Sequence, residues 1–328
     1  MTDYILRIEN LSTGFYNRIN DKLTPVLNDV SFNVERGKVL GIVGESGSGK
    51  SVTMLSIMGL LGPNARVSGN VFYENENILA YSKNELRQIR GKKIAMVFQD
   101  PMTTLNPVFT IGNQIREVLK LHRPDIENKN EYIIELLKEV GISDGKNRIK
   151  QYPHELSGGL RQRVVIAMAL AGDPEILIAD EPTTALDVTI QAQILELIQK
   201  LTKAHNMTTI MITHDLGVVA NICDNVVVLY GGKVCETGTT REILKDPKHE
   251  YTKGLIAAMP GTSKSKRLIP IEGVPVNCVD INNGCAFCSR CKNAMEICLT
   301  DTPVESKFSD THKAWCFMNI VPSEVQND

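Results

Sequence analysis

Eight consecutive residues match the pattern G-x-x-x-x-G-K-[ST], which binds the phosphates of nucleotides. They are Gly44, Glu45, Ser46, Gly47, Ser48, Gly49, Lys50 and Ser51, and we call them the phosphate loop. Its glycines allow a tight turn in which backbone N–H groups face a phosphate chain. We expect Lys50 to neutralise the terminal phosphates and Ser51 to hold Mg²⁺. The alternative is a chance Gly/Ser loop, which the apolar run before the loop and the helical pattern after it make a poor explanation.

A pair of acids, Asp180 and Glu181, follows the apolar run 176–179. An aspartate at the end of a strand can bind Mg²⁺ through water. The carboxylate of Glu181 would then face the γ-phosphate and polarise an attacking water molecule. A solvated acid pair at a strand end is the alternative, and in a chain without a phosphate loop it would be the ordinary interpretation.

A short turn, Ser157-Gly158-Gly159, precedes a helical pattern that continues to residue 171. Such a turn presents backbone N–H groups, a hydroxyl and the positive end of a helix dipole, all of which suit a phosphate. Ser-Gly-Gly is a common turn, however, and on its own an ordinary helix N-cap would be the better interpretation.

Alternating strands and helices position these residues. Apolar runs at 39–43, 94–98, 176–179 and 208–213 predict buried strands, and 188–204 predicts an amphipathic helix. This alternation predicts an α/β fold with a largely parallel sheet and helices on both faces. Ligands of such sheets bind at the carboxyl ends of the strands.

The rest of the chain carries weaker patterns. Residues 5–8 and 30–34 alternate like strands, and we expect a loop rich in Asn and Asp between them, with Phe15 and Tyr16 near its start. A hairpin is predicted at 226–236, around Gly231 and Gly232. From about residue 103 to 165 the pattern predicts a helical insertion.

The composition of the chain argues against some classes of function. The 328 residues carry a formal net charge of −2, which gives no general case for nucleic-acid binding. No N-terminal signal peptide and no apolar run long enough to span a bilayer is apparent. We therefore expect the chain to be cytosolic, or attached to a membrane through other proteins.

Six of the eight cysteines lie after residue 277. In a cytosolic chain such clustering favours metal binding over disulfides, with free core thiols as the alternative. Cys223 and Cys235 lie earlier, and we expect them to pack as small apolar residues.

Taken together and in order, these motifs resemble those of the ATP-binding cassette (ABC) family over residues 1 to about 260. Residues 156–162 are similar to the family's signature segment, with Leu160 where Gln is commonest. Gln99 resembles the Q-loop glutamine, residues 185–187 the D-loop, and His214 the switch histidine. The resemblance implies a P-loop NTPase fold with a mixed sheet and a helical subdomain at about 103–165.

The resemblance also implies roles. Gln99 would reach Mg²⁺ or the attacking water, and His214 would bond the γ-phosphate and orient Glu181. Phe15 is similar in position to the aromatic residue that stacks on adenine, with adjacent Tyr16 as the alternative. A lone Gln or His is more often an ordinary polar residue, but here each follows a predicted strand.

In this family two chains pack head to tail, and the signature segment of each caps the ATP of the other. The resemblance thus implies a dimer with two ATP molecules at its interface, hydrolysed by in-line attack of water. Ser157, Gly158, Gly159 and Asp187 would contribute to nucleotide binding in that dimer.

Two stretches resemble one branch of the family, the ATPase subunits of oligopeptide and dipeptide permeases. They are residues 98–107 (FQDPMTTLNP) and 41–51, and nickel importers are close relatives of this branch. In the tail, residues 284–291 and 294–298 resemble the C-terminal domain of the same branch, and residues 270–275 resemble the entry to that domain. We therefore expect a small cysteine-rich C-terminal domain at 261–328, after a linker at 260–266.

This tail resemblance implies that four cysteines bind a 4Fe–4S cluster, although four thiolates suit structural zinc equally. They are Cys285, Cys291, Cys298 and Cys316. Cys288 departs from the branch pattern as a spare thiol or an alternative ligand, and Cys278 is nearby. We expect the centre to stabilise a small domain rather than to do redox catalysis.

The resemblance predicts an ATPase that powers import of oligopeptides or dipeptides from the cytoplasmic face of the cell membrane, to which it is bound peripherally. Its partners would be a second, related ABC ATPase subunit, two transmembrane permease subunits and an extracellular solute-binding protein, and not nucleic acid. Nickel or another small solute is the alternative cargo. A soluble ABC protein acting on ribosomes or DNA is the alternative of a different class.

Overall fold

The structure, a computed structural model, describes residues 3–19, 21–184, 186–259, 270–276 and 284–319. The expected linker at 260–266, Ala185 of the D-loop and Cys278 lie outside these ranges. The strands within them are β1 (Tyr4–Asn17), β2 (Lys22–Glu35), β3 (Val39–Val43), β4 (Ala65–Tyr73), β5 (Glu76–Asn77), β6 (Ile94–Val97), β7 (Ile176–Asp180), β8 (Thr208–Thr213), β9 (Asn225–Tyr230), β10 (Lys233–Thr239), β11 (Ser306–Lys307) and β12 (Lys313–Ala314).

The helices of the described residues follow the same chain order. They are α1 (Lys50–Ile57), α2 (Lys83–Ile89), α3 (Pro101–Thr104), α4 (Ile111–His122), α5 (Lys129–Glu139), α6 (Gly145–Arg148), α7 (Gly158–Leu170), α8 (Val188–Ala204), α9 (Leu216–Ile222), α10 (Thr240–Lys245), α11 (Glu250–Ala257) and α12 (Ile297–Thr300). Among the described residues, no helix is long and apolar enough to cross a membrane.

The described residues form two compact units, which divide near residues 80 and 211. The first unit contains the residues up to 80 and those from 212 onward, and the second contains residues 81–211. The domain boundaries predicted from the sequence, 1–260 and 261–328, remain a prediction, since the junction at 260 lies outside the described residues.

An antiparallel sheet in the first unit has the strand order β2-β1-β4-β5. Here the prediction of a loop between residues 8 and 30 is wrong, because β1 and β2 form a long hairpin in which Ile8 pairs with Phe32 and Phe15 with Thr24. Several register shifts interrupt the pairing. Two polar residues near them, Asn10 and Asp29, adopt positive φ. These irregularities break the two-residue period from which a strand is recognised.

A second sheet of the first unit has the order β11-β12-β10-β9-β3. β3 and β9 are parallel, whereas β9 and β10 form an antiparallel hairpin, as predicted for residues 226–236. β12 pairs with β10, opposing Ala314 to Glu236. The chain after residue 284 thus adds strands to the sheet that carries the phosphate loop.

The second unit contains the parallel pair β6 and β7 and most of the helices. Residues 98–175 are all described and contain no strand, in agreement with the predicted helical character of that region. α8 spans 188–204 as predicted, with Ile194, Leu197 and Leu201 buried. In the first unit, the parallel pair β3 and β9 and the antiparallel pair β9 and β10 make the mixed sheet of the expected α/β fold.

Candidate functional site

The phosphate loop joins β3 to α1, the context that its motif requires. Lys50 is 5% exposed, and its Nζ donates to the carbonyl oxygens of Gly44 (2.8 Å) and Glu45 (2.9 Å). The ammonium group is therefore held inside the turn of the loop. Ser51 follows it in the first turn of α1, where the backbone N–H groups of a helix are unsatisfied.

Two loop positions accept no residue larger than glycine. A Cβ atom on Gly44 would lie 2.2 Å from the carbonyl oxygen of Leu229 in β9. Gly49 has φ of 99°, in the left-handed region, and its Cβ would lie 2.6 Å from Leu27. The neighbouring strands thus shape the loop. The buried hydroxyl of Ser48 makes no hydrogen bond with the residues that the structure describes.

The second unit brings Gln99 and Glu181 together. Gln99 Nε2 donates to Glu181 Oε2 at 3.1 Å, and Thr184 Oγ1 donates to the same oxygen at 2.9 Å. Glu181 has φ of 43°, which is uncommon for a residue with a side chain and costs free energy. Asp180, the last residue of β7, is 6% exposed. Thr184 was not singled out in the sequence, although it lies three residues after Glu181.

The signature segment begins α7, and Ser157 is its N-cap, with its Oγ accepting from Leu160 N at 3.4 Å. Ser157 and Gly158 are exposed. A Cβ on Gly159 would lie 2.8 Å from a methyl group of Ile190 in α8, so this glycine permits close packing of the two helices. Asp187 caps α8, with its Oδ1 accepting from Ile190 N at 3.0 Å.

The other predicted site residues lie in the first unit. His214 follows β8 and is exposed. Phe15 and Tyr16 lie near the end of β1 rather than in a loop. The hydroxyl of Tyr16 donates to Asp21, and the guanidinium of Arg66 lies 5.8 Å from the centre of its ring. The hydrogen bond to Asp21 raises the pKa of Tyr16.

Burial and neighbouring cysteines raise the pKa of two tail cysteines, Cys285 and Cys291. Burial and then the thiols of Cys298 and Cys316 raise the pKa of Cys285 to about 12. Burial, followed by other charges that include these two thiols, raises the pKa of Cys291. Within the described ranges, no group of three or more His, Cys, Asp or Glu side chains is arranged to hold a metal ion. The predicted centre therefore remains a hypothesis.

The two earlier cysteines, Cys223 and Cys235, are buried in the first unit, as expected for small apolar residues. Burial raises the pKa of Cys223 to about 12 and that of Cys235 well above its ordinary value. Both therefore remain neutral thiols.

Sequence reasoning missed Arg290 and Tyr251, which hold Glu45 of the phosphate loop. The one feature of the sequence that could have drawn attention to Arg290 is its position next to Cys291, and Tyr251 has no comparable signal.

Comparison with known proteins decides the family. The family model described as "ABC transporter" matches residues 27–184, and the one described as "Oligopeptide/dipeptide transporter, C-terminal region" matches residues 235–298. The dipeptide transport ATP-binding protein DppD of Bacillus subtilis (strain 168) is 46% identical over 318 residues, 96% of this chain and 94% of the relative. The chain belongs to the ABC transporter family. It is an ABC ATPase that carries the C-terminal region of oligopeptide and dipeptide transporters.

Further ABC proteins are similar to this chain in sequence and in structure. The oligopeptide transport ATP-binding protein OppD of the same Bacillus subtilis strain is 47% identical, over 95% of this chain and 88% of the relative. Among solved structures, cbiO1 from Clostridium perfringens has a TM-score of 0.62 at 31% identity, covering 74% of this chain and 92% of that one. The cassette MJ0796, in a dimeric post-hydrolysis state with ADP and Pi, has a TM-score of 0.63 at 30% identity, covering 72% and 99%.

Proposed function

We propose that this ABC ATPase powers the import of oligopeptides or dipeptides through membrane permease subunits. The observation that carries ATP hydrolysis is the carboxylate of Glu181, fixed by hydrogen bonds from Gln99 and Thr184 at the end of a buried strand. The choice of cargo is supported by the C-terminal region and by the printed names of the relatives.

At the nucleotide, the loop lysine Lys50 leaves its carbonyl partners and neutralises the terminal phosphates, while backbone N–H groups of the loop bind them. The hard oxygen atoms of Ser51, Asp180 and Gln99 suit Mg²⁺, which when bound offsets the negative charge of the phosphates. Glu181 holds and polarises the attacking water, and His214 orients that carboxylate and bonds the γ-phosphate.

For the adenine, the geometry of β1 favours Phe15 over Tyr16. Thr13 and Phe15 lie on the same face of the strand, because side chains alternate. The hydroxyl of Thr13 lies 2.8 Å from that of Ser56 in α1, the helix that follows the phosphate loop. Tyr16 points to the other face, where Asp21 and Arg66 contact it.

Ser157, Gly158, Gly159 and Asp187 are assigned to the nucleotide of a partner cassette. The exposure of Ser157 and Gly158 supports this assignment, since a residue that caps a partner's nucleotide must be accessible in the single chain. The solved structure of MJ0796 is described as dimeric. For this chain the partner is a second, related ATPase subunit, and ATP between the two cassettes stabilises the closed pair.

Two permease subunits and an extracellular solute-binding protein complete the proposed importer, with this chain bound peripherally at the cytoplasmic face of the membrane. In the tail, Cys285, Cys291, Cys298 and Cys316 are the proposed ligands of a 4Fe–4S cluster, with zinc as the alternative. Burial raises the pKa of the Cys285, Cys291 and Cys316 thiols, and the positive charge of a metal centre would offset that cost of ionisation.

A reconstituted importer tests the proposal. The chain is assembled with the permease subunits, partner ATPase and solute-binding protein of its own organism in proteoliposomes. Labelled peptides should enter only with ATP, and a Glu181→Gln chain should abolish uptake. Uptake of Ni²⁺ instead of peptides would refute the cargo, and binding to ribosomes or DNA without any permease would refute import.

A further inference from the structure

The carboxylate of Glu45, the second residue of the phosphate loop, is paired with an arginine from the cysteine-rich tail. Arg290 Nη1 lies 2.5 Å from Glu45 Oε2, and Nη2 lies 3.1 Å from Oε1. This two-bonded geometry is the strongest form of an arginine–carboxylate pair. The arginine side chain is only 3% exposed and that of the glutamate 25%, so solvent screens the pair weakly.

Arg290 is itself fixed by the surrounding structure. Its Nε donates to the carbonyl oxygen of Glu272 at 2.9 Å, and Nη2 donates to that of Ile271 at 3.2 Å. Its Nη1 also donates to the hydroxyl of Tyr230 at 3.2 Å. Nearly all of its hydrogen-bonding capacity is therefore used, and the guanidinium cannot turn away without losing several bonds.

The backbone of Glu45 is fixed as well. Its N–H donates to the hydroxyl of Tyr251 at 2.8 Å, and this tyrosine is fully buried, with its ring centre 4.6 Å from that of Tyr230. Glu45 is thus held at both its amide and its carboxylate by residues far outside the loop.

A carboxylate in a phosphate loop works against the binding of a polyanion. Lys50 Nζ already bonds the backbone carbonyl of Glu45, so a carboxylate of the same residue, once released from Arg290, would compete with the phosphates for that ammonium group. It would also add a like charge beside the phosphates. The ion pair with Arg290 prevents both effects.

We propose that Arg290 is a positioning residue for nucleotide binding, which acts through Glu45 by holding its carboxylate away from the phosphates and from Lys50. The proposal rests on the proposed nucleotide site at the phosphate loop. It gives the tail a task in ATP binding in addition to its own folding.

A double-mutant cycle on the full-length chain tests this. Arg290→Gln should raise the KM and Kd for ATP roughly tenfold, because an unpaired charge remains in the loop, with kcat within about twofold. Glu45→Gln in the same chain should restore most of the affinity, since no carboxylate then needs holding. Arg290→Lys should retain part of the affinity for ATP. The matched control is Lys292→Gln, which removes an exposed ion pair with Glu272. This variant should leave the KM, the Kd for ATP and kcat unchanged.

The outcomes separate the possibilities. If Glu45→Gln fails to rescue Arg290→Gln, or if kcat falls while KM is unchanged, Arg290 only supports the fold of the tail and the proposal is wrong. Lys50→Ala must abolish ATP binding in any case. If it does not, the nucleotide site itself is misplaced, which is a different failure.

Discussion

Gln99 Nε2 and Glu181 Oε2 are joined by a hydrogen bond of 3.1 Å between two strand ends of the second unit. Gln99 follows β6 and Glu181 follows β7, and these strands are parallel neighbours. The bond orients the side chain that the proposed function assigns as the base for water. It also connects the base to the start of the helical region, where α3 begins at Pro101.

Replacement of this carboxylate separates binding from chemistry. Glu181→Gln should lower kcat about 10²- to 10⁴-fold, because the amide cannot polarise water, while the affinity for ATP is retained. Turnover and fluorescent-nucleotide binding are measured on the same preparation, and the variant should accumulate as an ATP-bound dimer. Hydrolysis at the wild-type rate would show that another group activates the water.

Loss of the hydrogen bond from Gln99 should lower kcat by less than loss of the Glu181 carboxylate does. Gln99→Ala should reduce kcat less than Glu181→Gln does, because Thr184 still donates to the carboxylate. Thr184→Val is the matched change on the other side, and the double variant should be worse than either. Equal losses for Gln99→Ala and Glu181→Gln would mean that the glutamine contacts the reacting atoms directly.

Adenine stacking distinguishes the two neighbouring aromatic residues of β1. Phe15→Ala should weaken ATP binding by about 1–3 kcal/mol, the range of base–aromatic stacking, whereas Tyr16→Ala should change it little. The Kd values for ATP and for inorganic triphosphate are compared, because only ATP carries the base. A larger loss for Tyr16→Ala would exchange the two assignments.

The sequence predicted those parts of the fold that rest on local signals. β7 and β8 follow from continuous apolar runs and α8 follows from its amphipathic pattern, so their bounds were predicted closely. The β1–β2 hairpin was missed, because bulges near Asn10 break the alternation of its side chains. The Arg290–Glu45 pair joins positions 245 residues apart, and no local pattern encodes such a contact.

The stability of the chain should fall in mild acid because of one buried histidine. Burial lowers the pKa of His249 to about 4, and its Nδ1 accepts from Tyr251 N at 3.0 Å. Because the folded chain favours the neutral ring, this contribution is complete above the unfolded pKa of 6.5 and is lost as the pH falls toward 4. The loss amounts to at most about 3 kcal/mol.

Urea unfolding at pH 7, 5.5 and 4 measures this loss. At pH 7, His249→Asn should have a lower free energy of unfolding than the parent chain. Between pH 7 and 4, however, its free energy of unfolding should fall by less than that of the parent. His154→Gln is the control, because His154 is exposed, and it should leave the pH dependence unchanged. An unaltered slope in His249→Asn would assign the acid sensitivity to other groups.

Metal analysis tests the tail cysteines. Anaerobically purified chain should contain iron and labile sulfide and show a brown chromophore, and each single Ser replacement of Cys285, Cys291, Cys298 or Cys316 should lower the iron content and the thermal stability. Cys288→Ser is the matched control: Cys288 lies in the same segment and has the same burial class as Cys285 and Cys291, and the variant should retain the iron. Loss of iron in that variant would make Cys288 a ligand, and stoichiometric zinc without iron would replace the cluster by a structural zinc site.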